Sequence, residues 1–375
     1  MDSLHFSTGP GTQIKFVSLG MVVLDKICFP NGKTLFDVPG GSGLYSTLGA
    51  RIAATGTTET EEIGSVILAG RDFPASLQGV LRDWGLSLLF KMDPSRLSTR
   101  GLLQYKRPNF TGRPDFSLHN PSPPANPADL KGDPNLLRST AFHFLASPQD
   151  LRKFVSSLMS LRAADGVLAQ PLMVWEPAPA SCTPENRDLQ TCAAKLVDVY
   201  SPNHTEFLAI FEAPSTTAAA AAAIAPKTLG FDCSAIERHA LRLVDRGVGP
   251  HGTGVVVIRS GEHGCLVASR SYPARWFPAF YDSNSPKVVD VTGAGNAFLG
   301  AFTVMLATAA DLTEATITSS VVASLAIEQI GLPRKGISND KTETWNGIDI
   351  SSRIDEYRAK LAGVGGPVKG EKFRI

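Results

Sequence analysis

Residues 288–302 read "VVDVTGAGNAFLGAF": a β-branched strand end, then Gly293, Ala294 and Gly295, then an apolar helix. A glycine-rich turn feeding a helix N-terminus aims several unpaired backbone N–H groups at one spot, and the helix dipole adds positive potential there. That is an anion site, suited to the charge that develops on a phosphoryl group in transfer. A tight strand-to-helix turn without chemistry is the alternative that so short a pattern leaves open. Asn296 follows the turn. An amide can orient a hydroxyl by hydrogen bonding but has no basic form near neutral pH, so it cannot take the hydroxyl's proton.

Other residues stand out by setting. Asp25 ends "IKFVSLGMVVLD", an otherwise apolar strand. A carboxylate there needs partners, and substrate hydroxyls are natural ones. Gly40 and Gly41 precede a helical stretch from about 43 to 54 that carries Tyr45. Its phenol is either ordinary packing or a stacking face with one hydroxyl. Asn203 and Glu206 in "PNHTEF" have the spacing of a helix capping box. Arg100 in "STRGLLQYKR" is either a charge able to swing over a substrate or a solvated one. The seven histidines show no metal-ligand spacing, and His143 in "FHFL" reads as a satisfied core residue. Five scattered cysteines without a C-x-x-C pair predict reduced thiols, with neither disulfide framework nor zinc.

The elements that must hold these residues alternate. Apolar runs at 14–25 and 63–70 are each followed by a stretch of helical spacing, the rhythm of a sheet wrapped by helices. "TAFHFLASP" and "PLMVWEPAP" predict two more core strands, "GVVVIRSGEHGCLVA" a hairpin, and residues 295–309 and 316–330 two apolar helices. "STTAAAAAAIAP" predicts a surface helix or padded loop. The organisation expected is a tail over 1–13, one α/β domain over 14–363 with a small β flap from about 24–40 and 97–120, and a tail over 364–375. A formal net charge of +1 gives no global footprint for nucleic acid or anionic membrane. The longest alanine-rich run, Ala218 to Ala223, is far too short to span a bilayer. With no signal-like N-terminus, a cytoplasmic protein without nucleic-acid or membrane partners is expected.

"DVTGAGNAFLGAF" resembles the C-terminal signature of the pfkB, or ribokinase-like, carbohydrate kinases, in outline D-T-G-A-G-D-x-F-x-G-x-F. Asp290, Thr292, Gly293, Ala294, Gly295, Phe298, Gly300 and Phe302 match in order, with Val291 inserted. Asp25, the Gly40-Gly41 pair, "GRDFP", "PNHTEF" and "RSGEHGCLV" follow the family's other motifs, from about Ile14 to Pro333. "VWEPAP", "SPNHTEF" and "SLAIEQIGLP" look most like its fungal Mak-type branch.

The resemblance implies a ribokinase-like three-layer α/β sandwich: a mostly parallel central sheet, helices on both faces, and a β flap that can serve as a homodimer surface. It implies ATP and Mg2+, with K+ as a further option, and a small-molecule substrate. Gly293, Ala294 and Gly295 would form the anion hole, with Asn296 in place of the family's catalytic-base aspartate. Asp25, Gly40, Gly41 and Tyr45 would face the substrate. Tyr45 stands where ribokinase-type members carry asparagine, which makes ribose itself a poor candidate. Asn203, Glu206, Ser260, Gly261, Gly264 and Thr292 would face the nucleotide, Glu206 holding Mg2+ through water, and Asp290 would close a monovalent-cation loop. A general base typically contributes about 10²–10⁴-fold, so its loss predicts a slow phosphotransferase. An acceptor that is already ionised would need no base. The alternative is a catalytically silent nucleotide- or metabolite-binding protein that acts through a partner.

Overall fold

The structure, a computed structural model, describes residues 2–6, 13–55, 62–106, 114–119, 124–212, 231–282 and 284–364. The chain opens with strands β1 (Asp2–Phe6), β2 (Phe16–Ser18), β3 (Val23–Cys28) and β4 (Thr34–Gly40), then helix α1 (Ser42–Ala53). Next come β5 (Ile63–Gly70), α2 (Ala75–Asp83), β6 (Ser87–Asp93), β7 (Arg100–Gln104) and β8 (Asp115–His119). The middle holds α3 (Pro134–Leu137), β9 (Ala141–Ala146), α4 (Pro148–Ala164), β10 (Leu172–Pro177), α5 (Arg187–Ala194), β11 (Val199–Tyr200) and α6 (His204–Phe211). After α7 (Cys233–Arg246) follow β12 (Val255–Arg259), β13 (Cys265–Ala268) and β14 (Arg275–Phe277). The last third carries α8 (Ala294–Ala307), α9 (Leu312–Ala326), the small ribbon β15 (Lys335–Ile337) and β16 (Glu343–Trp345), and α10 (Ile350–Val364).

The chain divides into two compact units, one of residues 1–143, 157–172 and 280–374 and another of 144–156 and 173–279.

In the first unit β6, β5, β2 and β9 run parallel, and β1 pairs antiparallel with β6 at the edge. Strand β1 lies inside the stretch whose composition predicts a tail. Local sequence favours a tail there, but the edge of β6 offers a full ladder of unpaired backbone groups. The fully buried β5 is apolar on both faces, as parallel strands covered twice must be. Helices α1 and α8 lie against this core, where Leu48, Ile52, Ala301 and Val304 join Ile63, Ile67, Leu88 and Phe90. A separate four-stranded sheet has the order β4-β3-β7-β8. It is the expected flap, and a small apolar cluster of Ile27, Phe29, Leu103 and Tyr105 holds it.

In the second unit β10, β11 and β12 are parallel, and β13 and β14 continue antiparallel. The expected hairpin is β12–β13, turned by a 3₁₀ segment over Gly261–His263. Trp175 anchors β10 by donating its indole N–H to the Ala146 carbonyl at 2.9 Å. Mostly parallel sheet, flanking helices and a small extra sheet are the architecture the sequence implies. The segment 215–226 lies outside the described residues. Among the described residues no helix is long and apolar enough to cross a membrane.

Candidate active site

The turn before α8 is held by one backbone conformation. Gly293 caps the helix in the left-handed region (φ 79°), and no side chain caps the helix N-terminus there. The Ala294 N–H meets the Val291 carbonyl only at 3.4 Å, and a glycine-rich helix start without a side-chain cap suits an anion. A Cβ on Gly293 would lie 2.4 Å from ring carbons of Tyr45, so both the φ angle and the available space require glycine. Tyr45, in the first turn of α1, is 2% exposed, and its ring lies directly against the turn at Gly293.

Two other contacts fix α1 against α8. A Cβ on Gly49 would lie 1.9 Å from the Ala297 carbonyl oxygen, and one on Gly300 would lie 1.7 Å from that of Ser46. The backbones touch, and Gly300 in the matching motif therefore serves packing. This contact sets the distance between the turn at 293–296 and the Gly40-Gly41 corner at the start of α1.

Asp25 sits in β3 opposite Val38 of β4 and Gly101 of β7. Its carboxyl is lodged between two glycines: a Cβ would lie 2.0 Å from Oδ2 at Gly40 and 1.9 Å from Oδ1 at Gly101. The residue is 4% exposed, and Oδ1 has no hydrogen-bond partner. Burial, with the Asp290 charge second, pushes this carboxyl up to about 7. Asp290 is buried as well, and its Oδ1 accepts from the Tyr105 hydroxyl at 2.5 Å and the Thr292 N–H at 2.9 Å. Tyr105 stacks on Phe29 at 5.7 Å and reaches Asp290 from the flap. Burial, followed by the charges of Asp290 and Asp25 and by Tyr105, holds the Tyr45 phenol far above its ordinary range.

The first unit thus brings together Asp25, Gly40, Gly41, Tyr45, Asp290, Thr292, Gly293, Ala294, Gly295 and Asn296. Asn296 is half-buried in the first turn of α8. Arg100 is neither a free lid charge nor simply solvated. It pairs with Asp37 at 2.5 Å and Asp72 at 2.6 Å, tying the flap to the "GRDFP" loop. His143 is fully buried, with Nδ1 3.1 Å from the Ser18 hydroxyl.

The second unit holds Asn203, Glu206 and the Ser260–Gly264 loop, whereas Thr292, also expected on the nucleotide side, lies in the first. Asn203 and Glu206 close a capping box on α6: Asn203 Oδ1 accepts from the Glu206 N–H, and Glu206 Oε2 accepts from the Asn203 N–H at 2.8 Å. Asn203 also bridges to Arg259, the last residue of β12, which places the α6 start beside the Ser260–Gly264 loop. Among the described residues no group of three or more His, Cys, Asp or Glu is arranged to hold a metal ion.

Sequence reasoning missed three features. Tyr105 and the room made by Gly101 were legible in the alternation of β7 and the residue after it, where Gly101, Leu103 and Tyr105 are buried in turn. An aromatic group borders the Ser260–Gly264 loop: Phe231 stacks on His263 at 3.7 Å, with His204 and Trp276 edge-on to Phe231. These four residues are far apart in sequence and no local pattern links them. The buried Glu176–Arg259 ion pair at 2.9 Å joins β10 to β12 and is equally non-local.

Residues 240–335 match the model of the pfkB family carbohydrate kinases. The chain is 30% identical to an uncharacterized protein of Schizosaccharomyces pombe, over 94% of this chain and 95% of that one. It is 27% identical to Protein MAK32 of Saccharomyces cerevisiae, over 92% of each chain. Among solved structures, the ribokinase of Giardia lamblia superposes with a TM-score of 0.64 at 18% identity, covering 94% of this chain and all of that one. The ribokinase of Cryptococcus neoformans in complex with ADP gives 0.60 at 18% identity, with the same coverage. Fold and sequence agree: the chain belongs to the pfkB, ribokinase-like family, together with these two fungal relatives.

Proposed function

We propose that this protein is an ATP- and Mg2+-dependent phosphotransferase acting on a small molecule, with weak base chemistry. The observation that carries the proposal is the uncapped left-handed turn at Gly293 in the same unit as a buried carboxyl, Asp25, that lacks a partner. The turn suits the phosphoryl group and Asp25 suits a polar acceptor. Gly293, Ala294 and Gly295 supply backbone donors, and Asn296 orients the acceptor hydroxyl without taking its proton. Gly40, Gly41 and Tyr45 shape the acceptor side. The ADP-bound relative in the same fold supports a nucleotide as phosphoryl donor.

Within the second unit, Asn203, Glu206 and the Ser260–Gly264 loop are the residues we propose to face a nucleotide, and within the first unit Thr292 is. Glu206 has one carboxylate oxygen committed to its capping box, which fits an outer, water-mediated role toward Mg2+ better than direct ligation. When bound, Mg2+ would neutralise phosphate charge. Asp290 Oδ1 already accepts two hydrogen bonds, so K+ would be held largely by other oxygens. A cytoplasmic location and a homodimer through the flap belong to the same proposal.

A silent binding protein is the second reading. It is favoured by the Tyr45 ring packed on Gly293, together with the amide at 296. Asn296→Asp separates the two. In a working scaffold the new base raises phosphoryl transfer to a hydroxylated acceptor by about 10²–10⁴-fold. If ATP turnover with a panel of polyols and amino-polyols stays at background in both forms, the silent reading holds instead.

A further inference from the structure

We infer that the molecule accepted at this site carries a positively charged nitrogen, seated on the Asp25 carboxylate in the field of Asp290, a step that rests on the acceptor role proposed above for Asp25. Asp25 and Asp290 are 4% and 3% exposed, and each is close enough for its charge to be felt by Tyr45. Among the described residues nothing basic offsets them. Arg100, beside Gly101, is committed to Asp37 and Asp72. Lys26, next to Asp25 in sequence, sits with its ammonium 5.3 Å from the Phe36 ring centroid. The other titratable groups facing the pair are Tyr45 from α1 and Tyr105 from the flap, and both phenols are held neutral.

Asp290 has two donors, whereas neither oxygen of Asp25 accepts a hydrogen bond from any described residue. The two glycines leave no side chain able to supply one. A neutral hydroxyl would satisfy one oxygen yet leave two like charges buried together. An ammonium group would supply a charge-assisted hydrogen bond and cancel one of the charges.

The test uses the intact protein without nucleotide and matched pairs of probes titrated by calorimetry: ethanolamine against ethylene glycol, serinol against glycerol, and N-methylglucamine against sorbitol. At least one amine should bind where its neutral twin does not. Its affinity should rise about tenfold between about pH 6 and pH 8, as Asp25 loses its proton to solvent and its carboxylate pairs with the cation. Asp25→Asn should abolish the preference. Equal binding within every pair, preference for the neutral member, or no binding of any amine at tens of millimolar overturns the inference. Because ATP is absent, this outcome is independent of the phosphotransfer proposal. Binding of ATP with no amine preference would sink only the inference. Amine binding without ATP binding would sink only the phosphotransfer proposal.

Discussion

At the scale of single residues, glycine and carboxylate are placed where each costs stability. Asp25 is an acid held above its ordinary range, near 7, in the folded chain. The folded state therefore keeps its proton more tightly than the unfolded one. This favours folding while Asp25 is protonated, and the advantage is lost as pH rises from about 4 through about 7. Asp25→Asn should remove that loss, making the variant more stable than the parent by on the order of 1–3 kcal/mol near pH 8. Urea titrations of both proteins across this pH range check it, and parallel pH profiles would show that Asp25 is paired after all. Gly293→Ala meets a left-handed φ and the Tyr45 ring at once. It should cost roughly 1–3 kcal/mol in backbone strain alone, and anion affinity should fall with it. A variant that melts with the parent would mean that the turn is not held as described.

Among the elements, the close contact of α1 with α8 and the reach of the flap decide where the residues stand. Gly300→Leu would force the two helix backbones apart, since even a Cβ meets the Ser46 carbonyl at 1.7 Å. A cost of several kcal/mol, beyond the roughly 1–3 typical of overpacking, is expected in thermal unfolding. Tyr105→Phe keeps the stack on Phe29 but takes one donor from buried Asp290. About 1–3 kcal/mol should be lost in urea titrations against the parent. An unchanged stability would show that the Tyr105 hydroxyl contributes nothing through Asp290. The sequence made much of this level legible. The helix after Gly41, the hairpin around Ser260–Gly264 and both apolar helices of the last third lie within a few residues of where periodicity predicts them. What it hid is non-local. No spacing says that Tyr105 reaches Asp290, 185 positions away, or that Phe231 stacks on His263. The N-x-x-E pattern was legible as a capping box, and the box is formed.

For the whole molecule, a near-neutral charge and a mostly parallel sheet with a separate flap fit a family that binds small ligands. The family was readable because its motifs lie in order along the chain, most of them at a strand end or helix start where backbone geometry constrains residue type, with Asp25 inside β3 the exception. The division into two compact units was not readable, because it rests on contacts far apart in sequence and not on any composition shift. Strand β1 was hidden for a similar reason: its partner, β6, lies more than eighty residues on. We propose that the turn at 293–296 accepts the phosphates of a nucleotide. Calorimetric titration of the purified protein with ATP, with and without Mg2+, tests it most directly, with Gly293→Ala as the paired control. The account predicts saturable binding that strengthens with Mg2+ and is lost in the variant. No binding up to millimolar ATP, or equal binding by Gly293→Ala, would contradict it.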